Sequence, residues 1–529
     1  MNFNFPKSMF VLIAGSALLA SCGSAPVLLS TPIENIDTLP LKISDLTDTQ
    51  KQTWGHTDLI LDTIPGMAVD RAYADIIKNK KGEKVIVAVL DSGIDLKHED
   101  LVNVLWKNTK EIPGNNKDDD KNGYIDDVHG YNFLGESYNE QLEVARIVRL
   151  KIGDAAYQAK AKAVLEKKYD EALKNKEYYE QILQTVKTAD AAIQKELGKS
   201  TYTKKEVSAI KPKDEAMQQH AGMISQVFGF ADDVPSFIKD ITGAITSMAD
   251  QLNYNLKVDF DGRTLVGDNP YDITDTNYGN GNPQSRSEEE AHGTHVAGII
   301  AAQRGNGKGV DGVANNVAIM SIRAVSNGDE YDKDIALGIR YAVDNGAKII
   351  NGSFGKGFSP NAEWVYDAIK YAAEKDVLFI HAAGNDGLDL DDPNNANFPN
   401  DQINNGAEIA DNVITVGSLT RKYGSELVSS FSNYGSINVD IFAPGSDIYA
   451  TMPSSKYDFN SGTSMAAPGV AGVAALIRSQ YPKLKASEVK QIILQSGLTT
   501  KAKVVTPGNP SVSSNFNTLS KSGKMANAY

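Results

Sequence analysis

Cysteine is almost missing from this chain: one residue, Cys22, in 529. That excludes an internal disulfide framework and any zinc or iron-sulfur site built on clustered thiolates. Beyond the first two dozen residues no apolar run reaches the roughly 18 residues that a spanning helix needs. Glycine and proline, 44 and 19 residues, are too sparse for a collagen-like or low-complexity chain. Positive charge is also short: 53 Lys and Arg stand against 67 Asp and Glu, a formal charge of −14. Such a balance argues against a nucleic-acid binder, because phosphate contacts need a basic face. No segment repeats itself at a period of 20 to 50 residues, which removes solenoids and propellers. What is present is ordinary soluble composition, 41% hydrophobic and 23% charged, over a length sufficient for one large domain carrying an insertion.

The first 21 residues begin with Lys7 and continue through Met9-Phe10-Val11-Leu12-Ile13 to Leu18-Leu19-Ala20-Ser21, a basic start and a short apolar stretch that reads as a secretory signal. Leu19-Ala20-Ser21-Cys22 resembles the lipobox of bacterial lipoproteins, in which cleavage before the cysteine frees its thiol for acylation. The alternative is a chance cysteine at an ordinary cleavage site. Two or three acyl chains would anchor the protein stably to a membrane. Acidic residues do not follow Cys22 directly, in Gly23-Ser24-Ala25-Pro26, and the periplasmic face is favoured over the cell surface. Residues 22–53, rich in Ser, Thr, Pro and Asp, read as a tether or a short pro-segment.

From about Trp54 the texture changes. Val85-Ile86-Val87-Ala88-Val89-Leu90 is the continuous aliphatic run of a strand buried on both faces of a parallel sheet. The texture returns at Val317 to Ile322, Ala347 to Asn351, Val377 to Ile380 and Val413 to Val416, with helical spacing between, as at Asp334 to Asn345 and Asn361 to Lys375. Alternation of this kind predicts an α/β fold with a doubly wound, mostly parallel sheet flanked by helices, its working groups beyond the carboxyl ends of the strands. Residues 137–260 interrupt the alternation with Ala, Glu, Lys and Gln at helical spacing, predicting a large, mostly helical insertion into a domain of residues 54–529.

Three segments carry polar residues that no structural role demands: Val89-Leu90-Asp91-Ser92-Gly93, His292-Gly293-Thr294-His295 and Gly462-Thr463-Ser464-Met465-Ala466. A carboxylate, an imidazole and a hydroxyl are what a serine needs to become nucleophilic near neutral pH. Ala382-Ala383-Gly384-Asn385, after a buried strand, adds an amide that could meet a developing oxyanion. Each has a plainer alternative: Asp91 as a loop cap, His292 with His295 as a metal pair, Ser464 as a helix cap. His295 is expected to be a packed core histidine. His381 either lines a substrate pocket or simply packs.

These residues resemble the subtilisin-like serine peptidases, the subtilase family, in the chain order Asp, His, Ser. The resemblance implies Asp91 as the orienting acid, His292 as general base and acid, Ser464 as nucleophile, and Asn385 with the Ser464 N–H as oxyanion hole. It implies that Ser353, Phe354 and Gly355 form an edge strand pairing with an extended substrate. The implied activity is hydrolysis of protein or peptide bonds through an acyl-enzyme by an exported, lipid-anchored serine endopeptidase needing no organic cofactor. An α/β-hydrolase esterase would instead show G-x-S-x-G around the serine, which is absent. The other reading is a non-catalytic lipoprotein that binds partners through the helical insertion. Asp91 and His292 stand 201 residues apart, a wide gap for the family, and the insertion accounts for it. It shapes the cleft, docks a partner or stands the domain off from the membrane.

Asp118-Asp119-Asp120-Lys121-Asn122-Gly123-Tyr124-Ile125-Asp126-Asp127 places oxygen side chains at alternate positions with glycine at the sixth, spacing suited to a calcium loop. His129 at the twelfth position, in place of glutamate, sets it apart from an EF-hand. Asp118, Asp120, Asn122, Asp126 and Asp127 are the candidate Ca²⁺ ligands, and an acidic solvated turn is the alternative.

Overall fold

The computed structural model describes residues 36–38 and 44–529; the signal, Cys22 and most of the 22–53 segment lie outside them. The aliphatic runs become the sheet. β1 (Val85–Asp91), β2 (Gly130–Asn132), β3 (Val317–Arg323), β4 (Ile349–Gly352), β5 (Leu378–Ala382), β6 (Val413–Leu419) and β7 (Ile441–Pro444) lie in the order β2-β3-β1-β4-β5-β6-β7. Every neighbouring pair is parallel. The order reverses at β1, so the segments leaving β3 and β4 diverge on either side of its carboxyl end.

Both faces of the sheet are covered, which is why the strands read as unbroken apolar runs. Val87, Val89, Ile319, Ile349 and Ile380 pack on one face against the helices His292–Ala301 and Thr463–Gln480. Ala88, Leu90, Ile322, Ile350 and Phe379 pack on the other against Asp332–Asp344 and Ala362–Glu374. Strands β2 and β7 did not stand out by pattern, since β2 reads Gly-Tyr-Asn and β7 ends its apolar stretch at Pro444.

The insertion is helical, as expected. Glu143–Leu150 ends at Lys151 in the left-handed region, and a second helix of 43 residues, Ala155–Leu197, starts at the Asp154 cap and ends at Gly198. Helices Glu215–Val227 and Val234–Asp250 pack along it. Two apolar clusters hold the insertion. One joins Val144, Ile147 and Leu165 to Phe358 of the main domain, and the other, around Val186, Ile193, Ile224 and Val227, belongs to the insertion alone. Among the described residues no helix is long and apolar enough to cross a membrane.

Candidate active site

Asp91 is the last residue of β1, 1% exposed. Its Oδ1 accepts from Ser92 N at 2.8 Å and from His292 Nδ1, also at 2.8 Å. His292 opens the helix His292–Ala301 and leaves 40% of its side chain in solvent. The helix can approach this closely because residue 293 is glycine: a Cβ there would lie 2.3 Å from the Gly93 carbonyl oxygen. Burial disfavours the imidazolium, but the Asp91 charge and hydrogen bond outweigh it, and His292 titrates above the ordinary histidine value.

Ser464 is the second residue of Thr463–Gln480, so its N–H has no partner four residues back. Pro468, one turn on, lacks the N–H that would have bonded the Ser464 carbonyl. That carbonyl instead accepts from Ser353 Oγ at 3.0 Å, while Ser464 Oγ donates to the Ser353 carbonyl at 3.2 Å. Asn351 Nδ2 fixes the Ser353 hydroxyl at 2.9 Å. The nucleophile candidate is thereby laced to the strand leaving β4, and no hydrogen bond joins it to His292 among the described residues.

Asn385 is exposed after β5, and its orientation is set from Thr463. Its Oδ1 accepts from Thr463 N at 2.8 Å and from Thr463 Oγ1 at 3.0 Å; the same hydroxyl accepts from Gly384 N at 3.0 Å. With the oxygen occupied, the Asn385 Nδ2 donor is the end left free. Thr463 escaped the sequence reading although it stands inside the motif, because its role depends on a loop 78 residues away. Phe354 is buried and Gly355 exposed; the expected edge strand at 353–355 has no strand assignment, β4 ending at Gly352 with a single bridge following at Lys356.

His295 and His381 are packed residues. His295 Nε2 lies 3.2 Å from the Asp458 carbonyl and His381 Nε2 lies 2.8 Å from that of Phe354. Burial pushes both down to about 4, so both are neutral near pH 7. His381 thus supports the segment that leaves β4.

The acidic segment forms a turn whose carboxylates divide into two groups. Asp118, Asp120 and Glu111 bring oxygens within 4.8 Å of one another. Asp118 accepts from Asn122 N and Gly123 N, and Glu111 Oε1 accepts from Asp119 N and Asp120 N, leaving its buried Oε2 without a partner. Asp126 is drawn off to the backbone N–H groups of Gly114, Asn115 and Asn116. Asp127 is buried against Asn108, Asn122 and the Tyr341 hydroxyl, and burial raises it above the usual carboxylate range. Asn122 Oδ1 accepts from Tyr124 N. Glu111, outside the spaced motif, gave no signal in the sequence.

The profile of the subtilase family matches residues 82–517. The Thermophilic serine proteinase of Bacillus sp. (strain AK1) is 39% identical over 42% of this chain and 49% of its own length. The Cell wall-associated protease of Bacillus subtilis (strain 168) is 40% identical over 40% of this chain and 22% of its own. Thermitase of Thermoactinomyces vulgaris is 41% identical over 38% of this chain and 65% of its own. The matched stretch is thus less than two thirds of each of these relatives.

Proposed function

The chain belongs to the subtilase family, and from that premise we propose that it is a serine endopeptidase cutting protein or peptide substrates through an acyl-enzyme on Ser464. The observation that carries the reading is the 2.8 Å bond from His292 Nδ1 to the buried Asp91, at the one end of the sheet where Ser464 and Asn385 also converge. Asp91 holds the Nδ1–H tautomer and stabilises the imidazolium, leaving Nε2 as the base. Ser464 Oγ gives its proton to Nε2 as it attacks the carbonyl carbon. The oxyanion is met by Asn385 Nδ2 and the Ser464 N–H. His292 then protonates the departing amine, and water, deprotonated by the same imidazole, releases the acyl group.

The Ser464 hydroxyl, directed at the Ser353 carbonyl, is the observation on the side of a non-catalytic binding protein. A single χ1 rotation turns Oγ toward other partners, and hydrogen bonds of this kind are often loose without substrate. A fluorophosphonate probe decides between them. Labelling of Ser464, found by peptide mapping and lost in His292→Ala, is the expected result; an unlabelled but folded protein would overturn the catalytic reading.

Calcium belongs to the same proposal. Three carboxylates within 4.8 Å, one with an unpartnered buried oxygen, fit a hard divalent cation. Glu111, Asp118 and Asp120 would hold it, and its charge would relieve their mutual repulsion and stiffen the loop. Export follows from the amino-terminal segment and from the cell-wall association named for one relative. Anchoring through Cys22, on the periplasmic face, rests on the lipobox resemblance, and residues 54–529 form the peptidase domain around the 137–260 insertion.

A further inference from the structure

The segment Ser353-Phe354-Gly355 leaves β4 beside Ser464. Its next residue, Lys356, pairs antiparallel with Phe398, so the backbone groups of Gly355, one residue out of phase, face the opposite edge, where a peptide can add. The opposite wall of the cleft is the segment leaving β3. Residues 327–329 of that wall are bonded to the start of the insertion through Asn327 N to Tyr138 O, Glu140 N to Asn327 O and Asp329 N to Gln141 O.

Just past Gly355 the two walls are tied together. The Lys356 side chain crosses from one to the other, its ammonium bonding Glu143 Oε2 at 2.7 Å, the Glu330 carbonyl at 2.7 Å and Asp332 Oδ1 at 2.9 Å. Two hydrogen bonds and an ion pair hold the ammonium in place. Arg146, fully buried, holds the insertion helix to the same wall through the carbonyls of Asp329 and Glu330 at 3.0 and 3.2 Å, and pairs with Glu143 of its own helix at 2.8 Å. What remains under Phe354 and Lys356 is a cavity of about 10 Å³, room for one water molecule at most.

We infer that Lys356, clamped by Glu143 of the insertion and by Asp332, closes the cleft beyond Gly355, so that a peptide is read through about three residues on the amino-terminal side of its cut bond. The count follows from an antiparallel peptide with its first residue beside Ser353 and Ser464 and its third opposite Gly355. A fourth side chain meets the Lys356 clamp. The inference rests on the peptidase reading and assigns the insertion a role in specificity: its first helix supplies the anion that keeps the clamp shut.

The test is a series of peptides with two, three, four and five residues before a fluorogenic amide, apolar at the fourth. For the unmodified protein kcat/KM should climb to three residues and change less than twofold at four and five. Lys356→Ala should raise the four-to-three ratio at least tenfold, and Lys356→Ala with Asp332→Asn, which neutralises the carboxylate left without its cation, should do the same. A tenfold gain from the fourth residue in the unmodified protein overturns the inference, as does an unchanged ratio in a folded variant. Labelling of Ser464 and cleavage of the three-residue peptide report the peptidase reading separately, so the two can fail independently.

Discussion

Thr463→Val should slow the enzyme by acting through Asn385. Thr463 is fully buried, and valine keeps its shape and its backbone N–H while deleting the hydroxyl. Two hydrogen bonds are lost, the one to Asn385 Oδ1 and the one from Gly384 N. At about 1 kcal/mol each, with the Gly384 N–H then left without an acceptor, the fold should weaken by roughly 2 to 3 kcal/mol. The effect on rate is bounded by removal of the amide donor itself, roughly 10² to 10³ in kcat. Because the 2.8 Å bond from Thr463 N survives, one of the two restraints on Asn385 is retained. About half of the full loss in free energy is expected, a fall in kcat of roughly tenfold to thirtyfold with KM little changed.

The assay is steady-state hydrolysis of a three-residue fluorogenic peptide by four proteins: unmodified, Thr463→Val, Asn385→Ala and the double variant. If the hydroxyl works by aiming the amide, the double variant should be no slower than Asn385→Ala. A full-sized additional loss in the double variant would refute the argument, because the hydroxyl would then be acting on something other than Asn385. So would a folded Thr463→Val enzyme with unchanged kcat.

The base must be neutral to act, so kcat/KM should rise with pH through one ionisation lying above the ordinary imidazole value, as the Asp91 interaction requires; Asp91→Asn should move that limb to lower pH and reduce kcat by roughly 10⁴. The same pair stabilises the fold fully below the unfolded histidine value and loses that contribution as pH rises through the folded one, which thermal unfolding of a Ser464→Ala protein would register. Calcium should raise the unfolding temperature, with a stabilisation of about 2.7 kcal/mol at a hundredfold excess over Kd. Glu111→Gln or Asp118→Asn should abolish that response, whereas Asp126→Asn should lower stability yet keep the response, since its carboxylate serves the 114–116 backbone.

The parts that could be read from the sequence are those whose cause is local. A strand covered on both faces must be apolar throughout, so β1, β3, β4, β5 and β6 stood out as runs, whereas β2 reads Gly-Tyr-Asn and β7 offers only Ile441-Phe442-Ala443 before Pro444. Asp91, His292, Ser464 and Asn385 were legible because each sits where a regular element begins or ends, inside a dense local motif. Thr463, Lys356 and Glu143 were not, because each acquires its meaning from a partner distant in the chain, and Glu111 was not because it stands just outside the spaced acidic motif it joins. Lys356 lies 213 residues from Glu143, and on the page both look like ordinary surface charges. Only burial, 5% and 2% exposure, marks them as different.

Burial also explains why the insertion and the cleft have to be considered together. A lysine taken out of water needs its anions within reach, and one of the two carboxylates that Lys356 uses comes from the insertion. Removing the insertion would take one of its two carboxylates from the ammonium, and removing the lysine would leave Asp332 without its cation while Glu143 keeps Arg146; breaking a buried pair in this way costs about 3 to 5 kcal/mol. The helical segment between Asp91 and His292 is therefore coupled energetically to the segment leaving β4, where the proposed substrate strand would lie. On the proposed reading the insertion acts through the Glu143–Lys356 pair at the far end of the cleft, and not on the reacting groups.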